Sequence, residues 1–212
     1  GCSVQNDELK PEVLRISVQP GDKEPNVLYA PLIDYLEQQL NLKIEWVQVK
    51  GYQDQLDKFH NNELDLAMFG GFAFVKAAEL DQADPLVMRD IDFRFTSYIL
   101  VAKDNHASSI EGLKGQTLSF GNYLSTSGHI MPRFFLSTQN IVPEQFFSRV
   151  IYSASHAVTA LLVQDGGVDV AVVSSLVVDN MFKEQMLNKN LVRVLWQSPP
   201  FPDYVWAARK GL

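Results

Sequence analysis

The chain has 212 residues, 46% hydrophobic and 20% charged, the composition of a folded globular protein with one large domain or two lobes of about 100 residues each. Eighteen Lys and Arg against 25 Asp and Glu leave a net charge of −7, which argues against a nucleic-acid-binding surface. No run of about 18 apolar residues is present to cross a membrane as a helix.

The chain begins with Gly1-Cys2 and a polar, helix-poor stretch, read as a flexible tether over 1–12. A single cysteine cannot form an internal disulfide. Its place ahead of a polar tether fits lipidation of a bacterial lipoprotein after signal cleavage, or an incidental cysteine. From Leu14 short apolar strands alternate with amphipathic helices. LRISVQ (14–19) reads as a buried strand, NVLYAPLIDYLEQQL (26–40) as one helix with leucine every fourth residue, and KIEWVQV (43–49) as a strand. YQDQLDKFHNN (52–62) is helical with an Asn pair suited to a C-cap, LDLAMF (64–69) a strand and GFAFVKAAEL (71–80) a helix. FRFTSYILVAKDN (93–105) reads as one long strand, followed by a short polar helix and turn. A second series then runs TLSFG, GHIMPRFFLSTQ, RVIYS, SHAVTALLVQ, VDVAVV, SLVVDNMFKEQML, LVRVLWQ, alternating strand and helix.

Such alternation implies α/β lobes with mostly parallel sheets covered by helices. NNELDLAMF (61–69) and DGGVDVAVV (165–173) share one plan, an internal echo that points to two similar lobes. The expected boundaries are 13–103 for lobe 1, 104–200 for lobe 2, and 201–212 for a return crossing to lobe 1. A ligand cleft is expected between the lobes, closed by a hinge.

An enzyme reading would draw on Ser127, His156 and Asp203, but any chain of this length offers such a trio, and the hydrolase pattern G-x-S-x-G is absent because position 123 is Tyr. His60, His106, His129 and His156 are scattered without metal-ligand spacing, so no metal is expected. No P-loop or G-x-G-x-x-G occurs, so no nucleotide or other cofactor is expected. The stretch STSGHIMPRF places Ser125, Thr126 and Ser127 at the carboxyl end of a strand and at a helix start. Open α/β sheets bind ligands there, and free N–H groups with the helix dipole favour an anion. The alternative is plain Ser/Thr capping, which needs one hydroxyl rather than three. His129 falls inside the following helix.

Three segments carry a resemblance: STSGHIMP, FFSRVIYSASHAVTALLVQDGGVDVAVV and VLWQSPPFPDY. With GYQDQLDKFHNNELDLAMFGGFAFVKA in the first half, they resemble the phosphate/phosphite/phosphonate-binding proteins of bacterial ABC transporters, which are two-lobed type II periplasmic binding proteins. The resemblance covers about residues 13–212 and implies an extracytoplasmic solute-binding protein, not an enzyme, that delivers a small oxyanion to a membrane permease. A sensory module of the same fold is the alternative, with a serine hydrolase behind it. Residue by residue, the resemblance implies that Ser125, Thr126 and Ser127 anchor the oxyanion, that His156 donates to it, and that Asp203 accepts from a protonated ligand oxygen. It makes Tyr52 a first-lobe aromatic contact and puts Phe95 where the family can place a tyrosine, with Tyr98 nearby. Two departures stand out. The carboxylate that aminoalkylphosphonate binders carry after the VDVA strand is replaced by VVSSL, with Leu176 and no acid before Asp179. The chain also ends at Leu212, so the family's C-terminal helices are expected to be missing.

Overall fold

A computed structural model describes residues 12–20 and 24–212, which leaves Cys2 and most of the expected tether outside the described residues. The first half builds β1 (Val13–Ser17), α1 (Pro25–Leu28), α2 (Ala30–Leu40), β2 (Lys43–Trp46), α3 (Tyr52–His60), β3 (Leu66–Phe69), α4 (Gly71–Asp81) and β4 (Asp84–Val87). After a 3-10 turn at Asp90–Arg94 come β5 (Ser97–Ala102), β6 (Thr117–Phe120), a π-helical turn at Thr126–Ile130, α5 (Met131–Thr138) and α6 (Pro143–Phe146). The remainder is β7 (Arg149–Tyr152), α7 (His156–Gln164), β8 (Val170–Ser174), α8 (Ser175–Lys183), β9 (Val192–Gln197) and β10 (Val205–Ala208).

Two five-stranded sheets share one plan: β2-β1-β3-β10-β4 and β7-β6-β8-β5-β9. In each, three parallel strands meet one antiparallel strand that the chain delivers from the other sheet. β3 and β8 occupy the same place in the two sheets, so the echo between 61–69 and 165–173 marks equivalent strands. Val170, Val172 and Ile99 pack with Leu136 on one face of the second sheet, while Ala171, Val173 and Leu100 pack with Val163 on the other. Central strands covered on both faces read as continuous apolar runs for that reason.

The structure divides the chain differently from the sequence at three points. The run 93–105 is not one strand, because Asp92 accepts the backbone N–H of Arg89 at 3.1 Å and its guanidinium at 2.7 Å, which turns the chain before β5. β5 then pairs with β8 and β9, so the first crossing runs through residues 88–96, ahead of the boundary expected between 103 and 104. It lies beside the second crossing through a reciprocal pair of backbone hydrogen bonds between Phe95 and Phe201, 3.0 and 2.9 Å. The expected helix over 26–40 is broken at Tyr29, since Pro31 can neither donate to nor fit beneath the carbonyl of residue 27.

Arg15, Asp65 and Arg209 tie β1, β3 and β10 together. Asp65 is 1% exposed and accepts from the Arg15 backbone and from both guanidinium groups at 2.7–3.0 Å. Burial alone would raise its pKa, but these hydrogen bonds prevail and hold it down to about 2. The folded chain therefore binds that proton less readily than the unfolded one. The resulting stability is complete above the ordinary carboxylate pKa of about 4 and is lost as pH falls toward 2. Because both arginine side chains are about a third exposed (35% and 29%), we expect about 1–2 kcal/mol from this source. Urea titrations between pH 2 and 5 should show this acid-side loss in the native chain and a reduced loss in Asp65→Asn; equal slopes would contradict the assignment.

Candidate functional site

The loop after β6 brings Ser125 to a cleft of about 450 Å³ between the two sheets, lined also by Tyr52 and Lys50 from the first lobe and by Ala154, His156 and Val177 from the second, with Thr126 and Ser127 in the buried turn that follows. Ser125 caps the π-helical turn, its hydroxyl accepting the Gly128 N–H at 2.9 Å. The Thr126 hydroxyl accepts the Phe72 N–H at 2.8 Å, and Asp203 accepts the Gly71 N–H at 2.9 Å. The start of α4 in the first lobe is thus capped from the second lobe and from the second crossing. Leu124, from the same loop as the hydroxyls, packs into the first lobe's core with Phe69 and Ala73.

Ser127 is fully buried, and its hydroxyl has no hydrogen-bond partner. His156 opens α7, and its Nδ1 accepts the Ser174 backbone N–H at 3.2 Å. That bond assigns the proton of the neutral ring to Nε2, which is buried and unpartnered. Burial lowers the His156 pKa to about 4, so the ring is neutral at physiological pH. The ring lies over the cradle, its Cε1 3.0 Å from where a Cβ on Gly128 would stand. The first N–H groups of α7 and of the π-helical turn point from helix starts and have no intrahelical acceptor. The Ser125 and Ser155 hydroxyls cap the N–H groups of Gly128 and Val158, the His156 Nε2–H and the Ser127 hydroxyl stay unpartnered, and Lys50 brings a positive charge to the cleft wall.

Asp203 is 3% exposed. Burial pushes its pKa up to about 6, against the opposing effect of the Gly71 N–H it accepts and of the Thr126 and Ser127 hydroxyls nearby, the latter outside hydrogen-bonding geometry. Tyr52 packs over Gly70 and lies beside Ser125 and Tyr204, its ionisation pushed up by burial. Phe95 stands apart: it is buried in the first crossing, edge-on to Tyr204 at 5.5 Å, and does not line the cleft. The structure thus brings together Ser125, Thr126, Ser127, His156, Asp203 and Tyr52, with Phe95 behind Tyr204. Tyr204 was missed from sequence, although it follows Asp203 directly and lines the cleft.

A nucleophilic arrangement is not what these atoms form. The acceptor nitrogen of His156 is occupied by Ser174, leaving no base for the Ser127 proton, and Asp203 turns to Gly71 instead of orienting the imidazole. His129 is likewise engaged, with Nδ1 on the Tyr123 carbonyl at 2.8 Å and Nε2 accepting from Arg133 at 3.0 Å. No carboxylate lines the cleft among the described residues, and Asp203 lies buried beside Gly70 and Gly71. Asp179 lies on α8 against the Tyr98 hydroxyl at 3.4 Å.

Residues 19–212 match the family described as ABC transporter, phosphonate, periplasmic substrate-binding protein. A probable ABC transporter phosphite binding protein of Prochlorococcus marinus is 29% identical over 213 residues, covering 95% of this chain and 71% of that protein. A phosphate-import protein of Mycolicibacterium smegmatis is 28% identical over 219 residues, covering 95% of this chain and 68% of that protein. The Prochlorococcus marinus protein solved in complex with methylphosphonate superposes with a TM-score of 0.83 at 29% identity, covering 95% of this chain and 78% of that one.

Proposed function

The chain belongs to the phosphonate-binding family of ABC-transporter periplasmic substrate-binding proteins, and from that membership we propose that it captures a small phosphorus oxyanion between its lobes and presents it to a permease. Phosphite, phosphate and simple alkylphosphonates are the ligand class. The reading is carried by one observation: a buried imidazole N–H with no acceptor, over the turn that carries a buried hydroxyl with no partner. Unpaired buried donors cost about 1–3 kcal/mol each, and an oxyanion relieves that cost. Ser125, Thr126 and Ser127 hold its oxygens from one side and His156 from another, with Tyr52 and Tyr204 closing the cleft from the first lobe. Thr126 and Asp203, both bonded to the start of α4, join the lobes once they have closed. Among the described residues no carboxylate lines the cleft to receive an ammonium group, Asp203 being taken up by the Gly71 N–H, which disfavours aminoalkylphosphonates.

The relatives are named as binding proteins of transporters, which favours transport over sensing, and the occupied nitrogen of His156 supports binding without turnover. The site is periplasmic. Anchoring by a lipid on Cys2 is part of the same proposal, and the mass of the native protein tests it.

Asp203 sets the proton dependence. An anion placed beside a carboxylate whose pKa is already about 6 favours protonation of that carboxylate. Binding of fully ionised sulfate must then take up a proton, so its affinity should rise as pH falls from 8 to 6, by up to about tenfold per pH unit. A ligand that brings its own proton gives Asp203 a donor and should show a flatter profile. Asp203→Asn should abolish the sulfate slope in calorimetric titrations; an unchanged slope would remove Asp203 from the site.

A further inference from the structure

We propose that Ser174, at the end of β8, is a further ligand-contacting residue whose hydroxyl completes the oxyanion clamp with Ser127 and His156; this rests on the binding function proposed above. Three buried side-chain polar atoms lack a partner among the described residues: Ser127 Oγ, His156 Nε2 and Ser174 Oγ. His156 lines the cleft, Ser127 belongs to the turn beneath its ring, and Ser174 holds the same ring through its backbone. Ser174 is 1% exposed, and its own N–H holds the His156 ring at Nδ1.

Two independent observations give the direction of its side chain. Ser174 continues the side of β8 that carries Val170 and Val172, and those residues pack with Leu136 of α5, the helix that follows the cradle. Ser174 also stands directly opposite Ser97 of β5 in the antiparallel ladder, and opposed residues share a face. The Ser97 hydroxyl donates to the Ser127 carbonyl at 2.6 Å, so that shared face looks onto the cradle turn itself. Ser174 therefore sits between the imidazole it orients and the turn that presents Ser127. A hydroxyl there, neutral and able either to donate or to accept, serves a partly protonated oxyanion without needing a charge. In the sequence the same stretch reads only as a carboxylate that is missing.

Calorimetric titration of the wild type with phosphite and methylphosphonate, repeated on Ser174→Ala and Ser174→Cys, tests the proposal. Alanine removes the hydroxyl, and cysteine is close in size but only a weak donor. Both variants should bind about 10- to 100-fold more weakly, the loss expected for one hydrogen bond to a charged acceptor. The ligand-free melting temperature should stay level or rise, because an unsatisfied buried group has been removed. A hydroxyl that served only the fold would instead lower the melting temperature and leave affinity intact. Affinity within about twofold of wild type in either folded variant overturns the role of Ser174 while leaving the clamp of Ser127 and His156 standing. A wild type that binds neither ligand overturns the underlying function, and this role with it.

Discussion

His156→Ala should weaken phosphite and methylphosphonate binding by about 10- to 100-fold, a loss of roughly 1.5–3 kcal/mol. The substitution deletes a donor whose proton is fixed on Nε2 by the Ser174 N–H on the other nitrogen. It also opens space over Gly128, so water can partly replace the imidazole, which places the loss nearer the lower bound. The wild-type contribution should not follow the usual histidine titration. Burial has lowered this pKa to about 4, so the ring stays neutral and donating from pH 5 to 8. Titration calorimetry on both proteins across that range measures the loss. Wild-type affinity in the variant would mean that the unpartnered nitrogen faces something other than the ligand.

Gly128→Ala should damage both the fold and the site with one methyl group. A Cβ there would stand 3.0 Å from His156 Cε1, 3.0 Å from Ser125 Oγ and 3.1 Å from Gly121 Cα. The third neighbour is backbone, and Gly121 donates its N–H to the Gly128 carbonyl at 2.8 Å, so the turn cannot simply swing away. Overpacking of this kind costs about 1–3 kcal/mol, and at this chain length each kcal/mol lowers the melting temperature by about 2–4 °C. Relief of the clash must move the imidazole or the Ser125 cap, so affinity should fall more than for either residue alone, by about 100-fold or more. Thermal melts and titrations read the two effects separately. A variant that melts and binds like the wild type would show that Gly128 is not the packing point of the cradle.

Much of the fold was legible because the central strands are buried on both faces. LRISVQ, LDLAMF and VDVAVV each stand out as apolar runs, and the echo between the last two located equivalent strands in two sheets. Strand β4 escaped because Pro85 and an exposed edge position erase any alternation, and a proline is tolerated there because an edge strand has N–H groups that need no partner. The first crossing was misplaced because Phe93, Phe95 and Tyr98 look continuous in sequence, whereas the bond between Asp92 and Arg89 that turns the chain is a side-chain event. The hydroxyl run of the cradle could be read from the chain. The state of His156 could not, since its acceptor nitrogen is set by a residue 18 positions away. The long-range pairing of Thr126 with Phe72, across 54 positions, was equally hidden, and it is one of the contacts that join the two lobes.

In the proposed clamp the unmet donors at Ser127 and His156 hold a small phosphorus oxyanion. Isothermal titration of the intact chain at pH 7 with phosphite, phosphate, methylphosphonate and 2-aminoethylphosphonate tests it most directly. Saturable one-to-one binding of at least one of the first three is expected, with the aminoalkyl ligand weaker than methylphosphonate. No binding by any of the three, or tightest binding by the aminoalkyl ligand, would contradict it.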